Sequence, residues 1–279
     1  TRLQGDWSSD VCSSDLHSPH INALKIFMNN TKFINNSGDP TTNITDRMAS
    51  MTENGYKGKS YNIPKKDISK FFKLYEHARI NNAIMCINEK QYTQDIKESG
   101  IMFDFDIIQD VPISQVNKHV FVRFSTCIAY ILSKYIDMKN PIYEEHHIQD
   151  NNKYRMLYVC FTRKKTIVRN EEKDYYKDGF HVLLPGIKLS KENKKFIIEK
   201  MEEEGKFDYI FEDVFPAKGY TIKDYVDKHC TSVPVHFLGS VSKPNAIPYQ
   251  LEEIHEIRIN VEETPTLISP VRSEEHTSE

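Results

Sequence analysis

Paired cysteines are missing from this 279-residue chain. Cys86, Cys127, Cys160 and Cys230 stand far apart with no Cys-x-x-Cys among them, and the fifth, Cys12, lies in a stretch set aside below. A zinc ribbon and a disulfide framework are therefore excluded, and a reducing compartment is the default. No apolar run reaches the roughly 18 residues that a membrane-spanning helix needs, and no secretory leader is visible, so the expectation is a soluble intracellular protein with no membrane partner. A P-loop is also lacking, because Gly58-Lys59-Ser60 would need a glycine five positions before Gly58, where Glu53 stands. There is no internal repeat. Neither sign of charge dominates, with 37 Lys and Arg against 40 Asp and Glu, which leaves any nucleic-acid surface to local stripes rather than to the total.

The two ends read as DNA adapter rather than as protein. Codons TCA GAC GTG TGC TCT TCC GAT specify residues 9–15, and their reverse complement, shifted by one base, specifies residues 273–279 once completed by one further base. Residues 1–16 and 272–279 are therefore set aside as adapter-derived, and the single tryptophan, Trp7, goes with them. Their removal takes out Arg2, Arg272 and six acids, leaving 35 basic against 34 acidic side chains. The trimmed length suits one domain or two closely packed ones, with ample chain for a core.

Residues 17–63 are rich in Asn, Thr, Ser and Lys, and only 21–27 offers apolar content worth packing, which predicts a short element followed by loop. Beyond Pro64 the pattern sharpens. Asp67 is placed to cap a helix carrying Ile68, Phe71, Phe72 and Tyr75, and 83–87 reads as a buried strand. Pro112 and Ser114 are expected to open a long helix with Val120, Phe124, Cys127, Ile128, Ile131, Leu132 and Tyr135 on one stripe. Strands follow at 155–163 and 178–185, Ser190 caps another helix, and a helix-like segment after Thr221 precedes a strand at 233–240. Mixed elements in this order predict an α/β or α+β domain with a split sheet.

Residues 100–107 read GIMFDFDI. Successive strand residues alternate between faces, so Ile101, Phe103, Phe105 and Ile107 share one side while Met102, Asp104, Asp106 and Ile108 share the other. The apolar side packs inward, and the two carboxylates project together, Cα atoms roughly 7 Å apart, within reach of one cation. An antiparallel strand with a wet outer face gives the same pattern with no chemistry attached. In DGFHVLLP, residues 178–185, Phe180, Val182 and Leu184 alternate with His181, whose imidazole points away from the apolar face as the aspartates do. A half-buried histidine satisfied by hydrogen bonds is the plain alternative. Lys177, Asp178 and Gly179 form a polar entry where backbone can approach a phosphate. Farther on, DKHCTSVPVHFLGSVSKPN, residues 227–245, sets Asp227 before an apolar strand and Gly239, Ser240, Ser242 and Lys243 after it. Small residues and a lysine can meet phosphate oxygens or form nothing more than a surface turn. The EEHH stretch at 144–147 and the basic run at 163–165 are read as solvated loop and turn.

Taken in order, MFDFD, KDGFHVLLP and DKHCTSVPVHFLGSVSKP resemble the archaeo-eukaryotic primase superfamily, in the branch found in primase-helicase proteins of nucleocytoplasmic large DNA viruses, over residues 45–255. GKSYNIP and NAIPYQLEEIH look like the flanks of that branch. The resemblance implies an α/β (α+β) primase core of two packed α/β units, with an RRM-like catalytic sheet and the active site in the cleft between them. This core would occupy 64–265, after a polar, partly irregular segment at 17–63 and before a linker at 266–271. By the same resemblance Asp104 and Asp106 match paired metal-binding aspartates, Asp227 a third acidic position for which Asp213 competes, and His181 a histidine that contacts nucleotide phosphates. Ser240 and Lys243 would help hold the incoming triphosphate or the template.

Also implied are Mg²⁺ or Mn²⁺ as cofactor, hard ions that take oxygen ligands, with nucleoside triphosphates and single-stranded DNA template as partners. A superfamily 3 helicase would continue the chain, and the work would be done at a cytoplasmic site of viral replication. The expected reaction is template-directed nucleotidyl transfer that makes primers, with two ions roughly 4 Å apart bridging the attacking 3′-hydroxyl and the leaving pyrophosphate. A metal-dependent nuclease or another nucleotidyltransferase would use the same carboxylates, and a catalytically inactive nucleic-acid-binding module would carry them unused.

Overall fold

A computed structural model describes residues 19–34, 42–52, 55–93, 97–137, 148–149, 154–163, 168–170, 175–210, 221–241 and 247–260. The adapter-like ends, the EEHH stretch and the linker at 266–271 lie outside the described residues. The elements run α1 (Pro19–Asn29), β1 (Lys32–Ile34), β2 (Ile44–Thr52), β3 (Gly55–Asn62), α2 (Ile68–Ile80), β4 (Ile87–Glu89), β5 (Ser99–Gln109), α3 (Lys118–Tyr135), β6 (Ile148–Gln149), β7 (Tyr154–Arg163), β8 (Val168–Asn170), β9 (Tyr175–Leu189), α4 (Lys191–Glu203), α5 (Ile222–Tyr225), β10 (Val235–His236) and β11 (Gln250–Asn260). They form two units, Thr1–Asp95 with Pro234–Tyr249, and Ile96–Val233 with Gln250–Glu279. Residues 64–265, expected as the catalytic domain, fall in both units. The chain leaves the first at Ile96, re-enters it at Pro234 and leaves again at Gln250.

The first unit holds a five-stranded sheet in the order β1-β3-β2-β4-β10, with antiparallel pairing throughout. Residues 44–62, expected as loop, form its central hairpin. Among its described side chains Ile44 and Tyr61 enter the core, and the segment's apolar residues are too sparse in sequence to make an alternation legible. Ile21, Leu24 and Met28 from α1, Phe71, Tyr75 and Ala78 from α2, and Ile63, Ala83, Met85 and Ile87 share that core. Gly58-Lys59-Ser60 lies on strand β3, which removes any phosphate-loop reading. Asp67 precedes α2 as expected, yet its side chain makes no capping bond, a short 3₁₀ turn at Lys65–Asp67 leading into the helix instead. The strand expected at 233–240 shrinks to two residues. Gly239, at φ 85°, turns the chain, and a Cβ there would meet Arg79 Cγ at 2.8 Å, so glycine is required.

The second unit holds the sheet β11-β7-β9-β5, with β6 added on β7 and β8 on β9, antiparallel in every pairing. Helix α3 begins at Lys118, later than expected, because Asn117 is the cap; its Oδ1 accepts from the amides of His119 (2.9 Å) and Val120 (3.3 Å). Ser190 caps α4 as its position predicts, accepting from Asn193 N at 3.2 Å. One face of the sheet and α3 enclose an aromatic cluster in which Phe105 stacks on Phe180 at 5.0 Å and Phe121 on Phe161 at 4.3 Å. Phe124 from α3 stands edge-on to Phe105 at 5.1 Å. These rings fix β5, β7 and β9 from the apolar side. No helix among the described residues is long and apolar enough to cross a membrane.

Candidate active site

Strand β5 alternates as its sequence requires: Phe103, Phe105 and Ile107 are fully buried, while Asp104 and Asp106 are half-buried on the other face. The register with β9 sets Asp104 opposite His181, Asp106 opposite Gly179 and Ile108 opposite Lys177. Directly opposed residues of an antiparallel pair share a face, so both carboxylates, the imidazole and the Lys177 amine project together. His181 Nε2 lies 3.2 Å from Asp104 Oδ1, and Lys177 Nζ lies 2.7 Å from Asp106 Oδ2.

Gly179 has a specific reason to be glycine. A Cβ there would come within 2.9 Å of the Phe105 carbonyl oxygen and 3.6 Å of Asp106 Oδ1. Its absence lets β9 close on β5 and keeps the face beside Asp106 clear.

Asp227 reaches the same strand by its backbone. Val226 bridges Phe105, and Asp227 N donates to Asp104 O at 2.9 Å, so this segment extends the outer edge of β5. The carboxylate of Asp227, however, accepts from His229 N at 2.8 Å and caps the 3₁₀ turn Lys228–Thr231. Beneath Asp104 lies the buried thiol of Cys230, pushed up to about 12 chiefly by burial, against a hydrogen bond to the Asp104 backbone that lowers it.

Among the described residues no three His, Cys, Asp or Glu side chains gather closely enough to hold an ion. Asp104 and Asp106 nonetheless fit a hard divalent cation. They offer carboxylate oxygens on one half-open face, next to a position where a side chain is missing, and water and phosphate can fill the remaining coordination sites.

One predicted ligand-contacting residue falls elsewhere. Ser240 is completely buried in the first unit, its hydroxyl 3.0 Å from Tyr75 Oη and accepting from Ile87 N at 3.1 Å, so it serves that core rather than a triphosphate. Lys243 and Asp213 lie outside the described residues.

Arg163, read from sequence as part of a solvated turn, is buried instead. It stands opposite Phe180, which turns it to the core side, where Asp178 also points. Its Nη2 reaches Asp178 Oδ1 at 2.9 Å and Oδ2 at 2.7 Å, and Nη1 donates to Val116 O at 3.1 Å. Ser114 Oγ donates to the same carboxylate, and Gly179 N donates to it at 2.8 Å. Asp178 therefore anchors from below the strand segment whose upper side carries Lys177 and Gly179. Lone charges in a polar run gave no signal for this pairing, because it joins residues that are distant along the chain.

A second constellation imitates a hydrolase triad. Ser125 Oγ lies 2.7 Å from His255 Nδ1, whose Nε2 lies 2.6 Å from Glu253 Oε2. Ser125 is only 3% exposed, so no substrate carbonyl reaches it, and the trio ties α3 to β11.

The family model for the C962R protein N-terminal AEP domain, AEP denoting archaeo-eukaryotic primase, matches residues 50–255. Three African swine fever virus proteins, each named "Putative primase C962R", are 27% identical to this chain. For a warthog isolate from Namibia and the Vero-adapted Badajoz strain the match covers 229 residues, and for a tick isolate from Malawi 230. In each case 79% of this chain is covered and 19% of the relative, so the chain spans about a fifth of the length of the curated relatives it matches. The matched segment contains every residue of the carboxylate face described above, with β3 to β10 complete, β2 and β11 in part and β1 outside it. By that match the chain belongs to the family of the C962R N-terminal domain, a domain of archaeo-eukaryotic primase type.

Proposed function

We propose that this domain synthesises primers on single-stranded DNA from nucleoside triphosphates, as the nucleotidyl-transfer part of a larger viral replication protein. The observation that carries the reading is the shared face of Asp104, Asp106 and His181, in a chain of primase-type family. Asp104 and Asp106 would hold Mg²⁺ or Mn²⁺, which would neutralise charge on the triphosphate and lower the pKa of the attacking hydroxyl. The protein's own part is positioning and electrostatics. Lys177 brings a donor and positive charge to the side of the carboxylates where an anionic triphosphate would lie, and His181, only 5% exposed, would steady Asp104 from beside it and is the proposed phosphate contact. Gly179 leaves the space, and Asp178 with Arg163 keeps the strand from shifting. Asp227, held by its backbone to Asp104, is the proposed third acid; its carboxylate would have to exchange its capping bond for that role. The helicase continuation and the cytoplasmic replication site belong to the same proposal.

The test is incubation of the chain with labelled single-stranded DNA, nucleoside triphosphates and Mn²⁺. New or extended strands that disappear in Asp104→Asn and Asp106→Asn are the expected outcome. Template shortening dependent on the same residues would establish a nuclease instead, and binding of template with no change on mutation would establish an inactive platform.

A further inference from the structure

Asp106 is not waiting bare for an ion: Lys177 Nζ sits 2.7 Å from its Oδ2, and both side chains are 47% exposed. An ion pair that open to solvent is worth at most about 1 kcal/mol, equivalent to a factor of about five, so it forms and breaks readily. Its geometry also sets a conflict. A divalent cation on Asp106 and the ammonium beside it are like charges competing for one carboxylate, and both cannot keep their full interaction. The face offers the lysine another destination only when an anion arrives. His181 already stands by Asp104, Asp178 is engaged with Arg163 on the opposite side of the strand, and Gly179 contributes no side chain.

We propose that Lys177 is an electrostatic placeholder that couples metal binding to nucleotide binding. With neither ligand present, its ammonium neutralises Asp106 and weakens the site for a lone cation. When a triphosphate enters, the ammonium turns from Asp106 to the phosphates, and the freed carboxylate takes the ion. Metal and nucleotide thereby bind with positive coupling, and by linkage each raises the affinity of the other by the same factor. This rests on the metal role proposed for Asp106; the register and the 2.7 Å contact stand independently of that role.

The experiment measures Mn²⁺ binding to the full chain by electron paramagnetic resonance of free Mn²⁺. Titrations are made first without nucleotide and then with a non-hydrolysable α,β-methylene nucleoside triphosphate. Lys177→Gln is expected to bind Mn²⁺ alone about fivefold tighter than the wild type. The analogue is expected to tighten Mn²⁺ binding in the wild type by a factor several times larger than in Lys177→Gln. Lys177→Arg, which keeps the charge, should behave as wild type, and Lys177→Met replaces the Gln variant if that one fails to fold. Equal Mn²⁺ affinity of wild type and Lys177→Gln without nucleotide, or equal tightening by the analogue, overturns the placeholder role while leaving primer synthesis by the wild type intact. A wild type that neither binds Mn²⁺ nor makes primers overturns the metal role of Asp106 itself, and the placeholder with it.

Discussion

Arg163 on β7 and Asp106 on β5, strands that both pair with β9, carry charges that answer to opposite rules. Arg163 is buried with a carboxylate and a carbonyl as partners, so removing its charge strands Asp178 in the interior. Breaking a buried pair from one side costs about 3–5 kcal/mol. Arg163→Met is therefore expected to lower the unfolding free energy in urea by that amount, and a loss below 1 kcal/mol would mean that the pair contributes little to holding β7 and β9. Asp104 and Asp106 are half-exposed; Lys177 beside Asp106 is as open as its partner, whereas His181 beside Asp104 is buried. Asp106→Asn should change stability by less than about 1 kcal/mol while reducing primer synthesis about a hundredfold or more, the scale of several kcal/mol of charge stabilisation. The two variants separate anchoring from chemistry: the first is read by denaturation, the second by turnover at unchanged stability.

Among the elements, α3 is the one on which the carboxylate face depends, although it touches none of the acids. Phe124 stands within 5.1 Å of Phe105, 5.3 Å of Phe207 and 5.9 Å of Phe161, ring centre to ring centre, and is fully buried. Phe124→Ala is expected to cost about 3–5 kcal/mol, visible as a lower urea midpoint, and a loss under 1 kcal/mol would show that the cluster closes over the gap. This helix and strand β5 were the most legible parts of the sequence. Val120, Phe124, Ile128, Ile131 and Leu132 repeat at helical spacing, and the apolar-acidic alternation of 101–107 has a period of two that no helix shares. The hairpin of β2 and β3 was not legible, because polar composition mimics loop when few apolar residues mark the buried side. Strand β11 escaped for a related reason: Glu253 and His255 take inward positions beside Ile257 and Ile259 while Leu251 and Ile254 are exposed, so apolar residues do not mark its buried side. For the candidate site, alternation put Asp104, Asp106 and His181 each on the non-core face of its own strand. That Asp104 faces His181 and Asp106 faces Gly179 is a matter of register between strands more than 70 residues apart in sequence, and local pattern carries no information about it. Ser240 was misplaced because a small residue followed by lysine looks the same whether its hydroxyl points to solvent or supports a turn.

For the whole molecule, the division into two units, each with its own sheet, gives two separate stability questions, and each unit carries a fully buried thiol that can answer its own. Cys86 lies in the first unit and Cys230 in the second, both at 0% exposure. With its thiol pushed up to about 12, Cys230 is almost entirely protonated at pH 8, and the thiolate is the reactive form, so labelling requires the unit to open. The same shift sets a direction with pH: the unfolded thiol ionises near 9.0 and the folded one near 12, so the contribution is complete below the first value and lost as pH rises through the second. The longest strands of the first unit have nine and eight residues, whereas the second has four of ten residues or more over an aromatic cluster. Alkylation at pH 8 across a urea series is therefore expected to modify Cys86 at a lower denaturant concentration than Cys230, with two resolved midpoints. Coincident labelling would instead mean that the chain crossings at Ile96, Pro234 and Gln250 bind the units into one cooperative transition, since opening either would then release the other.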